Sequence, residues 1–173
     1  MSRRHGDTTW TRTTWAALLV GLLAVAADQA TKWWALARLE LGEQVPLLGR
    51  HFSLQLVWNQ GAAFSFGTGA TWVFTILAAL VVVAIVVVLP RVRHTSTALA
   101  LGLLAGGALG NLIDRLVQPP SFGSGHVVDF LNYNGWFVGN VADICIVVAA
   151  VWLALSQLVG GGQGDGDEGS TDD

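Results

Sequence analysis

This chain predicts a mainly α-helical membrane protein: a four-transmembrane-helix bundle with a small β-sheet at the outer membrane surface. Three observations carry that reading. Hydrophobic residues make up 53% of the 173 positions and charged residues only 12%, about half the charged share of a soluble domain. Four apolar runs, about 15–37, 71–89, 97–115 and 136–159, are each long enough to cross a hydrocarbon layer. Between the first two runs, about 41–68, hydrophobic and polar residues alternate with the period of a half-buried strand.

The same numbers narrow the function. The length allows one domain, 15–159, between an N-terminal tail, 1–14, and a Gly-rich acidic tail, 160–173, whose composition predicts disorder. The formal charge of −3 comes from Asp165, Asp167, Glu168, Asp172 and Asp173, and without them the body is net positive. No strong basic field argues for a nucleic-acid partner. Cys145, the single cysteine, excludes an intrachain disulfide and suits a small apolar filler.

The first run follows Arg3, Arg4 and Arg12 and passes through Ala24-Val-Ala-Ala, which also fits a cleaved signal peptide. Apolar character resumes at Trp33-Trp34 after Lys32, so a single tilted span over 15–37 accounts for more of the sequence. Asp28 and Lys32 stand four apart on it, sharing a helix face where they can neutralise each other. Phe52, Leu54, Leu56 and Trp58 alternate with polar or smaller residues, and Asn59-Gln60-Gly61 supplies turn chemistry. The second run has no charge and, at 1.5 Å per residue, extends about 28 Å. The third carries Gly102, Gly106 and Gly110 at four-residue spacing, a stripe for close helix packing. Residues 116–135 read as a Pro-, Gly- and Ser-rich loop carrying Asp129. The fourth run, taken from Trp136, places Asp143 about 10 Å along the helix from its outer end.

An even number of spans puts both termini on one side. Arg3, Arg4, Arg12, Arg91 and Arg93 favour the cytoplasm for that side. Asn59, Asn111, Asp114, Arg115, Asp129, Asn140 and Asp143 then gather at the opposite, outer boundary. An ionisable residue at membrane depth is a functional-site hypothesis by default. Two carboxylates close together in low dielectric share a proton, so one takes a proton from water while the other donates to a carbonyl. Asn111, Asp114 and Arg115 lie on one helical face, as do Asn140 and Asp143. They are candidates for holding a substrate backbone, although an Asp114–Arg115 ion pair and an interhelical Asn140 bond are structural readings of the same residues. A proton-coupled transporter, a non-catalytic scaffold, and a metal site of His126 with the two acids are the alternatives.

Five segments, in order, carry a resemblance: Asp28-Gln-Ala-Thr-Lys32, Asn59-Gln-Gly-Ala-Ala-Phe-Ser65, Gly106-Gly-Ala-Leu-Gly-Asn-Leu-Ile-Asp-Arg115, Val127-Val-Asp-Phe130 and Asn140-Val-Ala-Asp143. Together they resemble bacterial lipoprotein signal peptidase, or signal peptidase II. The resemblance implies an intramembrane aspartic endopeptidase; a monomer in the bacterial inner membrane, with cytoplasmic termini and an outward-facing site, is the accompanying expectation. Its substrates would be diacylglyceryl-modified prolipoproteins, met among membrane lipid and cut before the lipidated cysteine, with neither metal nor cofactor. By motif match, Asp129 and Asp143 are the catalytic pair. Asn59, Asn111, Arg115 and Asn140 match substrate-holding or site-shaping positions, and Asp28, Lys32 and Asp114 match structural support. Gly139 stands where the family usually has an aromatic residue, and the 118–125 segment is long for its connection.

Overall fold

A computed structural model describes residues 10–49, 51–61 and 71–161. The outermost tails, and the part of the expected sheet region at 62–68, lie outside the described residues. Helices α1 (Arg12–Arg38), α2 (Thr71–Val88), α3 (Thr95–Val117) and α4 (Val141–Gly161) form the bundle. All four are long and apolar enough to cross a membrane. Their outer faces keep large apolar side chains exposed, such as Leu22, Leu80, Val83, Val151 and Leu155. Exposure of that kind suits contact with lipid rather than water.

Helix α3 is the hub, and α1, α2 and α4 each pack principally against it. The glycine stripe makes this possible. A Cβ on Gly106 would lie 2.5 Å from the Gly21 carbonyl oxygen of α1, and one on Gly107 would lie 2.6 Å from the Ala142 carbonyl oxygen of α4. Helices α1 and α4 therefore approach α3 backbone to backbone on two faces. Leu89–Arg91 closes α2 as a 3-10 turn with Pro90 near its start.

The sheet is larger in reach than its local sequence suggests. Strands β1 (Gln44–Leu48), β2 (Phe52–Asn59), β3 (Val127–Tyr133) and β4 (Phe137–Gly139) are antiparallel in the order β1-β2-β3-β4. Two expectations are corrected here. The 116–135 segment is not all loop: Val127 to Tyr133 pair with β2, setting Val57 opposite Asp129 and Asn59 opposite Val127. Nor does the fourth helix begin at Trp136, because Phe137–Gly139 return as β4. The cause is the Asn134-Gly135 turn, where both residues have positive φ (57° and 76°) and the Trp136 N–H reaches the Tyr133 carbonyl at 3.0 Å. Two left-handed residues in succession are what a type I′ hairpin turn needs. Helix α4 consequently starts at Val141, and Asp143 lies in its first turn rather than deep within it.

Candidate functional site

The C-terminal halves of α1 and α3, the N-terminal ends of α2 and α4, and strands β2 and β3 meet at one end of the bundle. Asn140 is the pivot. Its Oδ1 accepts from the Asp143 N–H at 3.0 Å, while Asp143 Oδ2 accepts from the Asn140 N–H at 3.1 Å. This is a reciprocal capping box at the start of α4, with Asp143 also well placed against the positive helix end. The Asn140 amide Nδ2 donates at 2.6 Å to Asp129 Oδ1. One asparagine thus joins both acids, and the long 118–125 connection does not keep Asp129 away from Asp143.

Neutral amides complete each carboxylate. Asn59 Nδ2 donates to Asp129 Oδ2 at 2.9 Å, and Asn111 Nδ2 donates to Asp143 Oδ1 at 2.9 Å. Asp129 is only 1% exposed. Burial, and then the neighbouring charge of Asp143, push its carboxyl from 3.8 up to about 7, against the opposing pull of Asn59, Asn140 and Lys32. This strand carboxyl therefore keeps its proton well above the ordinary carboxylate range.

Arg115 is buried beside them without a hydrogen bond to either acid among the described residues. Its Nη2 donates to the Gly61 carbonyl at 3.1 Å, and the guanidinium lies 5.6 Å from the Phe74 ring centre. The expected Asp114–Arg115 pair is not formed. Asp114 instead meets Lys32 at 2.8 Å, and Lys32 meets Asp28 at 2.8 Å, as its helical spacing foretold. Among the described residues no three His, Cys, Asp or Glu side chains form a group that could hold a metal ion, so His126 does not join the two acids.

A cavity of about 600 Å³ opens over the pair. Asn59, Asn111, Arg115, Asp129 and Asp143 line its polar end, and Phe74, Ile144, Val147 and Val148 continue it as an apolar wall along α2 and α4. Such a site can hold water between two acids of differing protonation and present it to a bound amide.

Some participants were missed from sequence. Gln29 Nε2 bonds Asp114 Oδ1 at 3.1 Å and the Gly110 carbonyl at 3.2 Å; it sits inside the Asp28–Lys32 segment, and only that placement signalled it. Phe137 explains Gly139: a Cβ at 139 would lie 2.5 Å from Phe137 Cε1 and 2.8 Å from Asp143 Oδ2. The Phe137 ring fills the space beside Asp143 that a side chain at 139 would claim.

Residues 20–159 match the sequence model of the signal peptidase (SPase) II family. The chain is 46% identical over 141 residues to the lipoprotein signal peptidase of Bifidobacterium longum subsp. infantis, covering 82% of this chain and 77% of that protein. It is 43% identical over 143 residues to the lipoprotein signal peptidase of Mycobacterium avium, covering 83% of this chain and 79% of that protein. In fold it is similar to a bacterial membrane enzyme solved in meso at 2.3 Å resolution, with a TM-score of 0.75 at 23% identity, covering 90% of this chain and 94% of that one.

Proposed function

The chain belongs to the signal peptidase II family, and from that membership and the geometry of its two acids we propose that it is an intramembrane aspartic endopeptidase. Its substrates are diacylglyceryl-modified prolipoproteins, from which it removes the signal peptide before the lipidated cysteine. The observation that carries this reading is Asn140, whose one side chain contacts Asp129 directly and caps the helix turn of Asp143.

In the resting pair one carboxyl is protonated and the other ionised. The ionised acid takes a proton from a water lying between them, and the water oxygen bonds to the scissile carbonyl carbon. The protonated acid gives its proton to the carbonyl oxygen, producing a tetrahedral diol. Collapse then breaks the C–N bond, with a proton passed to the leaving amine of the cysteine. Asn59 and Asn111 hold the acids in place for this, and Arg115 offers positive charge near the developing oxyanion.

The cavity suits such a substrate. Its apolar wall on α2 and α4 accepts the hydrocarbon of the signal peptide and the acyl chains, while the polar end receives the peptide bond. We place the acids at the outer face and the termini in the cytoplasm, since Arg12, Arg91 and Arg93 lie at the opposite end of the bundle. Cleavage of lipidated and unlipidated precursor by wild type, Asp129→Asn and Asp143→Asn tests the reading. Only wild type with lipidated precursor should yield product, and full activity in either variant would overturn it.

A further inference from the structure

Beneath the two acids lies a second group of charges whose contacts go further than mutual neutralisation. Lys32 Nζ stands 2.8 Å from Asp28 Oδ2 and 2.8 Å from Asp114 Oδ2, and donates to Asn111 Oδ1 at 3.0 Å. All three charged side chains are almost fully buried, at 1% exposure or less. Each carboxylate has another contact. Asp28 Oδ1 accepts at 2.9 Å from the N–H of Ala142, the residue before Asp143. Asp114 Oδ2 accepts at 3.0 Å from the N–H of Val128, the residue before Asp129. A single ammonium therefore ties together the two acids that grip the backbone just ahead of each reacting acid.

The same ammonium decides which way the amides point. A lysine only donates, so Asn111 must turn Oδ1 toward it. That leaves Asn111 Nδ2 facing Asp143 Oδ1 at 2.9 Å. Asn140 then donates to the same Asn111 oxygen at 3.1 Å and to Asp129 Oδ1 at 2.6 Å. Reversing Asn111 would press N–H against an ammonium and a carbonyl oxygen against a carboxylate, two repulsions in a medium of low dielectric.

On the peptidase reading above, we propose that Lys32 is a positioning residue for cleavage: through Asp28 and Asp114 it sets the separation of Asp143 and Asp129, and through Asn111 it aims amide donors at both. The charged and titratable groups facing the pair are Asp28 and Lys32 of α1, Asp114 and Arg115 of α3, and Tyr133 of β3. Lys32 also counters the burial that raises Asp129. Removing its charge therefore moves the loss of the shared proton to higher pH.

The test measures kcat, KM and the pH–rate profile of Lys32→Met on lipidated precursor in detergent, beside Asp129→Asn and Asp143→Asn. We expect kcat to fall roughly 100-fold, the cost of an ångström-scale misplacement, with KM within about threefold of wild type. In the residual activity, the falling limb of the pH profile moves upward. An unchanged kcat, or a KM rise alone, overturns the proposal. If Lys32→Met does not accumulate as folded protein, Asp114→Asn decides, keeping the shape while losing the charge. A kcat loss of about tenfold or more at constant KM supports the positioning role, and wild-type kcat overturns it. If the catalytic Asn variants cleave at full rate, the paired-acid mechanism itself falls. If they are inactive while Lys32→Met cleaves normally, only the positioning role falls.

Discussion

Two pairs of acids stand one layer apart, and they differ in what surrounds them. Asp28 and Asp114 share the Lys32 ammonium and accept backbone N–H groups. Asp129 and Asp143 meet neutral asparagine amides and, at Asp143, the Asn140 backbone N–H, with no ammonium at contact distance. Exposure alone does not separate them, since Asp129 is as fully buried as Asp28 and Asp114, while Asp143 is half-buried at the cavity. The partner decides. An ammonium lies at contact distance from both carboxylates of the lower pair, while amides stabilise a buried carboxylate less than an opposite charge does. Asp129 is thereby left with its carboxyl raised toward neutrality, which the proposed paired-acid mechanism uses. Burial makes an acid costly, and the choice of counter-group determines whether that cost becomes structure or chemistry.

The comparison is broken most severely by removing either acid of the proposed catalytic pair. Asp143→Asn or Asp129→Asn should lower kcat on lipidated precursor by at least roughly 1,000-fold, because the general acid–base step is lost. In the lower pair stability suffers as well as the rate. Asp114→Ala leaves Lys32 paired with Asp28 alone and the Val128 N–H without its acceptor, and should cost about 1–3 kcal/mol, read as a lowered thermal transition in detergent. Asn140→Ala touches both layers. It should remove about 1 kcal/mol of helix capping and lower kcat by roughly tenfold or more, with the thermal shift and the rate measured on one preparation.

Titration sharpens the contrast without a mutation. Asp129 binds its proton more tightly folded than unfolded, 3.8 rising to about 7. Stability that this proton supplies is complete below the unfolded value and is lost as pH rises through about 7. The singly protonated pair disappears over the same window, so cleavage should decline as pH is raised past neutrality, followed as a pH–rate profile. The smallest effect is expected at Gly139→Ala. The added methyl meets Phe137 and Asp143, and a shift of either should reduce kcat by roughly two- to tenfold, checked against Phe137→Leu, which makes room for it.

Much of this was legible in the chain. Apolar runs of bilayer length located all four helices, and an aspartate inside the last of them drew attention to Asp143. Asp28 and Lys32 declared their pairing by spacing alone. What hydropathy could not separate was a buried strand from the start of a span. Val127-Val-Asp-Phe-Leu and Trp136-Phe-Val-Gly are apolar in either role, and only Asn134-Gly135 betrayed the hairpin between them. The capping box of Asn140 and Asp143 is likewise visible as an Asn followed three residues later by an acid. By contrast, the Lys32 partnership with Asp114 and the crossing of β2 against β3 join residues far apart in the chain. No local pattern encodes such contacts, since they depend on how α1 and α3 meet along the glycine stripe.

The hairpin that moved the start of α4 to Val141 has a practical consequence. Asp143 is one helical turn or less from the end of its helix, and Asp129 lies on the sheet above it. A molecule seeking both acids need not dissolve into the hydrocarbon interior. On the outward placement proposed above, a polar group approaching from the aqueous side, carrying a modest apolar tail for the wall of Ile144 and Val147, would have a short path to the two acids. Water solubility and inhibitory reach need not be opposed in a ligand for this site.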